Sequence, residues 1–206
     1  MPISDPTAAF ERLLAALDHL GVRYLVGGSL ASSIRGSGRA TMDIDLVVEL
    51  GPAQAEALAS TLQGEFYADA DMIREALDRG LSFNVIHFKS SYKFDLFPVV
   101  SEFQRSEMAR ASTVDASPFS TTPLRFRVAS PEDIILAKLS WFRKGGSVSA
   151  RQWNDVLGVV RIQGDRLDRA YLNEWAERLG VRELLDDALR QGSTDLSAGP
   201  RRPETP

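Results

Sequence analysis

Apolar residues recur at helical spacing from the start of the chain, at Phe10, Leu13, Leu14, Leu17 and Leu20, and the run stops at Gly21. Asp5-Pro6 supplies the opening of that helix, with Asp5 as N-cap and Pro6 at the first helical position. Residues 22–26 then form a short apolar strand that breaks at Gly27-Gly28-Ser29. A helix is expected over 30–35, followed by a loop at Gly36-Ser37-Gly38. Over 43–48 the pattern changes to strict alternation: Ile44, Leu46 and Val48 share one face of a strand, and Asp43, Asp45 and Val47 share the other. An alanine-rich helix over 52–62 and a helix over 72–79 follow. Strands are expected over 83–88 and 92–97, joined by the polar turn Lys89-Ser90-Ser91, then a helix over 102–111 and a strand over 124–128.

From Ser130 the periodicity is helical throughout. Ser130-Pro131-Glu132-Asp133 combines a capping hydroxyl with acidic residues in the first turn, and Gly145-Gly146 closes that helix. Ser149 begins another helix reaching about Ile162, and two more run over 168–179 and 182–190. Glycine, serine and proline then accumulate, so the end of the chain is expected as a disordered tail. The predicted organisation is a mixed α/β domain over 1–129, a helical C-terminal subdomain over 130–191 and a tail over 192–206. The fold class is α/β (α+β), a mixed sheet with flanking helices followed by a helical subdomain. There are no internal repeats.

Composition narrows the chemistry. The 206 residues are 44% hydrophobic and 25% charged, ordinary values for a globular chain, and 24 basic against 28 acidic residues exclude a broadly basic nucleic-acid coat. With no cysteine, disulfides, thiolate metal sites and cysteine nucleophiles are excluded. The only histidines are His19 and His87, so a metal here must be a hard ion held by carboxylates. No apolar run reaches membrane-spanning length and the first residues lack a basic leader, so a cytoplasmic protein with no membrane partner is expected. Up to Ala129 there are 12 basic and 16 acidic residues, so the acid excess lies in the α/β part, where a cation site belongs.

Three features carry chemistry. A strand runs into Gly27-Gly28-Ser29 and then a helix, an arrangement in which glycines allow close backbone approach and a helix N-terminus offers N–H groups to an anion. Asp43 and Asp45 stand two apart on a strand and point the same way, where like charges repel unless a cation lies between them. Asp95 sits in the apolar run Phe94-Asp95-Leu96-Phe97, where a lone carboxylate is costly. If that strand neighbours 43–48, the three carboxylates converge on a site suited to Mg²⁺ or Mn²⁺. A phosphate-binding turn beside them suggests a nucleoside triphosphate, for which two ions about 4 Å apart align an attacking hydroxyl and a leaving pyrophosphate.

Gly28-Ser29, followed by Asp43-Ile44-Asp45 and a later Asp95 between apolar neighbours, resembles the DNA polymerase β-like nucleotidyltransferase superfamily. More narrowly, the chain is similar to small bacterial nucleotidyltransferases related to AbiEii-type toxins. The resemblance covers about 24–98, and less strongly 131–164, through Pro131-Glu132-Asp133, Lys138, Trp141 and Arg151-Gln152-Trp153-Asn154-Asp155. It implies the nucleotidyltransferase fold and metal-dependent transfer of a nucleoside monophosphate from a triphosphate to an acceptor hydroxyl, on RNA such as tRNA, with a cognate antitoxin as a further partner. It implies that Gly27, Gly28 and Ser29 hold phosphates, that Asp43 and Asp45 bind two ions, and that Asp95 completes the metal site and helps deprotonate the acceptor. It also implies that Arg39 lies near the phosphates and that Lys138 reaches the triphosphate. Transfer to a small molecule such as an aminoglycoside, or to a protein, is the alternative acceptor class. A non-catalytic binding protein of the same fold is the third reading, and the intact Asp43, Asp45 and Asp95 argue against it.

The remaining polar and aromatic residues have plainer expectations. Trp141, Trp153 and Trp175 are expected in packing, with base stacking a second use for Trp153. His87 is expected as a hydrogen-bonded structural residue, Asp155 as the partner of a nearby arginine or the end of a polar helix face, and Arg125 and Arg127 as solvent-facing. Arg143, Lys144 and Arg151 make one modest basic cluster that could guide an RNA end.

Overall fold

The computed structural model describes residues 6–36, 43–115 and 124–197. The chain divides into two compact units, one of residues 1–30 and 40–129, the other of residues 31–39 and 130–206.

Among the described residues the first unit is built on a mixed seven-stranded sheet. In chain order its elements are α1 (Pro6–His19), β1 (Tyr24–Val26), the start of α2 (Gly28–Arg35), β2 (Asp43–Val48), α3 (Ala55–Leu62), β3 (Phe66–Tyr67), α4 (Ala70–Asp78), β4 (Phe83–His87), β5 (Lys93–Pro98), α5 (Glu102–Arg110), β6 (Ser112–Asp115) and β7 (Arg125–Val128). The strand order is β3-β4-β5-β2-β1-β7-β6. β2 is central, parallel to β5 on one side and antiparallel to β1 on the other. The alternation in β2 has its expected consequence: Ile44, Leu46 and Val48 are buried, Asp43 is exposed, and Asp45 and Val47 are half-buried.

The buried side of the sheet is filled from α1 and α3. Phe10 of α1 stacks on Phe94 of β5 at 6.3 Å and meets Phe126 of β7 edge-on at 5.1 Å. Leu13, Leu17, Leu58 and Leu46 are fully buried around them. Each such side chain contributes about 1.5–3 kcal/mol by leaving water, so the sheet's other face can carry carboxylates without threatening the fold.

Several boundaries differ from the sequence pattern for local reasons. β1 starts at Tyr24 because the Val22 amide donates back to the Leu17 carbonyl at 2.9 Å and belongs to the end of α1. α2 starts at Gly28, two residues earlier than expected. The expected helix over 52–62 begins as a 3-10 turn, Pro52–Gln54. β3 and β6 were not foreseen: they are two- and four-residue strands at the sheet's edges, too short to show alternation. Asp5, Gly38 and Arg39 lie outside the described residues.

The second unit is helical: α6 (Pro131–Lys144), α7 (Ala150–Gln163), a 3-10 turn at Gly164–Arg166, α8 (Arg169–Leu179) and α9 (Arg182–Ser197), with residues 31–35 of α2. The expected starts hold. Ser130 Oγ accepts from the Asp133 amide at 3.2 Å, Ser149 Oγ from the Gln152 amide at 3.3 Å, and Asp168 Oδ1 from the Tyr171 amide at 3.0 Å. Asp133, fully buried, also accepts from Ser130 Oγ and Tyr171 Oη, each at 2.6 Å, which ties α6 to α8.

The tail expected from residue 192 is corrected in part, since α9 continues through Ser197. Gly192 does not end it because the glycine is a packing site: a Cβ there would overlap Val160 Cγ1 and lie 3.0 Å from Val160 Cβ. The absent side chain lets α9 close on α7, and Gln191 Oε1 accepts from Trp153 Nε1 at 3.1 Å beside it. Trp175 is buried as expected, whereas Trp141 is 52% exposed on α6, with the Lys144 ammonium over its ring. Among the described residues no helix is long and apolar enough to cross a membrane.

Candidate active site

The condition set by the sequence is met in the sheet. β2 and β5 are adjacent and parallel, and their register pairs Asp45 with Asp95 and Asp43 with Lys93. Paired residues on neighbouring strands are about 4.8 Å apart across the ladder, so Asp45 and Asp95 are direct neighbours on the face away from Phe94 and Leu46. On the other side of β5, Asn84 of β4 pairs with Asp95 and Ile86 with Lys93. Because Phe94 and Leu96 are fully buried and Asp95 is half-buried, the strand puts its carboxylate where neither core burial nor full hydration applies.

The Gly27-Gly28-Ser29 turn closes on the same place. The Gly27 amide donates to the Asp45 carbonyl at 2.9 Å, which extends the β1–β2 ladder to the turn. Gly28 takes φ +55° and opens α2. A Cβ built on Gly28 would overlap Asp45 Oδ2 and lie 2.5 Å from its Cγ and 2.8 Å from its Cβ. The Asp45 carboxylate therefore lies against the first residue of a helix, where unsatisfied N–H groups and the positive end of the helix dipole favour negative charge.

Lys93 was not singled out from the sequence. Its Nζ is 2.8 Å from Asp95 Oδ2, with side-chain exposures of 41% and 22%. The hydrogen bond to Asp95 is the main cause holding the ammonium above its usual pKa; partial burial opposes it, and the charges of Asp95, Asp43 and Asp45 add to it. The i, i+2 spacing of Lys93 and Asp95 was the available signal, because it puts both on one face of a strand. Among the described residues no three Asp, Glu or His side chains are gathered as a group that could hold a metal ion. The donor chemistry nevertheless fits a hard cation: the face offers carboxylate oxygens, and an ammonium already stands on one of them.

The other expected site residues are distributed as follows. Arg39 lies outside the described residues. Lys138, on α6 of the second unit, is buried in an ion pair with Asp155 Oδ2 of α7 at 2.9 Å, both side chains 9% exposed. Asp155 is thus held by a lysine. Arg127 is half-buried, not free in solvent as expected: its Nη2 donates to the Met108 and Ala111 carbonyls at 2.7 and 3.2 Å and secures the end of α5. His87 is buried, with Nδ1 2.8 Å from Ser90 Oγ. Arg143, Lys144 and Arg151 are all exposed.

No protein-family model matches the chain, and no curated protein sequence does. Among solved structures it is similar to the antibiotic-resistance factor ANT(2'')-Ia in solution, at 13% identity and TM-score 0.47, over 92% of this chain and 95% of that one. It is similar also to an antigenic nucleotidyltransferase-like protein from Paracoccidioides brasiliensis, at 17% identity and TM-score 0.49, with the same coverage. A third is the lincosamide antibiotic adenylyltransferase LnuA in its lincomycin-bound form, at 12% identity and TM-score 0.43, over 77% of this chain and 98% of that one. These likenesses are distant, and the chemistry of the site rests on its own residues.

Proposed function

We propose that this chain is a nucleotidyltransferase that moves a nucleoside monophosphate from a nucleoside triphosphate to an acceptor hydroxyl, with Mg²⁺ or Mn²⁺ as cofactor. The observation that carries the reading is the Asp45–Asp95 register pair, with Asp43 on the same sheet face and the Gly28 start of α2 against Asp45. A protein without catalytic use for this face would have little reason to line up three carboxylates there, since their mutual repulsion costs stability.

In this reading Asp43, Asp45 and Asp95 hold the ions, two in number, which when bound supply positive charge to a crowded anionic centre. Gly27, Gly28 and Ser29 hold the distal phosphates through backbone N–H groups and a hydroxyl, with Arg39 and Lys138 as further phosphate contacts. Asp95 takes the proton of the acceptor hydroxyl. The acceptor oxygen bonds to the α-phosphorus, the bond from that phosphorus to the bridging oxygen breaks, and pyrophosphate leaves with the electron pair.

RNA, with tRNA foremost, is the proposed acceptor. The exposed Arg143, Lys144 and Arg151, with the exposed ring of Trp141 beside Lys144, offer phosphate contacts and a stacking surface. Kinship with AbiEii-type toxins and a cognate antitoxin belong to the same proposal. The test is purified protein with Mg²⁺ and each α-labelled triphosphate, offered total RNA, an aminoglycoside and a protein mixture in turn. Label on RNA supports the full reading, while label on antibiotic or protein keeps the transfer and changes the acceptor. If no label moves and Asp43→Asn behaves like the wild type, the reading falls.

A further inference from the structure

We infer that Lys93 is the resident counter-cation of Asp95, holding its carboxylate until a divalent ion displaces the ammonium. This inference rests on the metal-dependent reading above and assigns that site a built-in competitor. Its first support is geometric: Lys93 and Asp95 are two apart on β5, share a face, and meet at 2.8 Å. The second is register. Lys93 is paired with Asp43 and Asp95 with Asp45, so the ammonium that holds Asp95 stands on the sheet face that carries all three carboxylates.

The third support is exposure. At 41% exposed, the lysine side chain has water within reach, and its flexible stem can carry the ammonium outward without unpacking any core residue. A surface ion pair of this kind contributes little net stability, so exchanging it for a doubly charged ion is affordable. The Asp95 oxygen that accepts from Lys93 is one that an incoming ion would claim. A monovalent ammonium therefore keeps the face intact in the metal-free protein while setting the concentration at which metal enters.

The experiment is calorimetric titration with Mn²⁺ alone, without nucleotide, on the wild type, Lys93→Met, Lys93→Arg and Asp45→Asn, each also melted with and without Mn²⁺. Lys93→Met should bind Mn²⁺ roughly two- to fivefold more tightly, the equivalent of a lost surface-pair competitor. Its metal-induced rise in melting temperature should exceed that of the wild type. Lys93→Arg, which keeps the charge, should stay near the wild type, and Asp45→Asn should bind much more weakly. If Lys93→Met folds poorly, Lys93→Gln serves in its place. Wild-type binding with equal or weaker affinity in the neutral variants overturns the role of Lys93 and leaves the nucleotidyltransferase reading standing. Absence of Mn²⁺ binding by both the wild type and Lys93→Met overturns both.

Discussion

The carboxylate of Asp45 fills the space that a side chain on Gly28 would occupy. A strand residue and a helix-opening residue are thus fitted to each other, and the fit joins two features that stand seventeen residues apart in sequence. Gly28 is required twice over, because its φ of +55° already disfavours a side chain. The turn and the acidic strand are one structural unit, and neither can vary without the other.

Gly28→Ala should consequently be a severe lesion. The left-handed backbone alone costs about 1 kcal/mol for alanine, and the overlap forces either Asp45 or the start of α2 to move. Transfer activity is expected to fall by at least about a hundredfold, as displaced catalytic groups commonly cause, with a much smaller loss in denaturant-melting stability. Near-normal activity in a folded Gly28→Ala protein would contradict the fit.

Asp43→Asn and Asp45→Asn should separate function from folding. Each removes one of three like charges carried on one sheet face, so the metal-free melting temperature should be unchanged or slightly raised. Nucleotide transfer should be lost in both. The wild type should gain melting temperature with Mg²⁺ and triphosphate, because both bind only the folded protein, and the variants should lose most of that gain. A large fall in the apo melting temperature of either variant would point to a structural role instead.

Much of this arrangement was legible in the sequence where a local signal existed. The alternation at 43–48, the helix starts at Ser130 and Ser149, and the turn at Lys89-Ser90-Ser91 are short-range features, and each occupies its expected place. What escaped depends on partners distant in sequence. The edge strands β3 and β6 exist through pairing with β4 and β7. Arg127 is half-buried through the carbonyls of Met108 and Ala111. Lys93 acquires meaning through the β2–β5 register, and Gly192 reads as a helix breaker until Val160 is seen against it.

His87 gives the fold an acid-side sensitivity. Burial lowers its pKa below the usual 6.5, outweighing the raising effect of Glu65, and Lys89 adds to the lowering. The unfolded chain therefore takes up a proton at a pH where the folded protein resists it, so stability is full above about 6.5 and declines as pH falls from there through the folded value. Denaturant melts between about pH 5.5 and 7 should show this decline. His87→Gln should flatten it, whatever its effect on stability at neutral pH, and an unchanged slope would remove His87 as the cause.

Gly192→Ala tests the close approach of α9 to α7. The added methyl group would overlap Val160 Cγ1, and overpacking of this kind costs about 1–3 kcal/mol. Pairing it with Val160→Ala should recover part of the loss by returning the space. If Gly192→Ala is as stable as the wild type, the end of α9 is not packed against Val160.

The Lys138–Asp155 pair joins α6 to α7 with both side chains 9% exposed, so the two charges are held together largely out of water. Breaking such a pair from one side removes a charge partner held largely out of water. Lys138→Met and Asp155→Leu should each destabilise by about 3–5 kcal/mol. The double variant, with neither charge left behind, should recover most of that loss, since apolar replacements of buried pairs are often neutral. Denaturant unfolding of the three proteins gives the coupling directly. If Lys138 also contacts the triphosphate, the double variant should be stable yet impaired, with the loss falling on the KM for nucleotide and little on kcat. A stable double variant with unchanged KM would confine Lys138 to packing α6 against α7 and remove it from the nucleotide site.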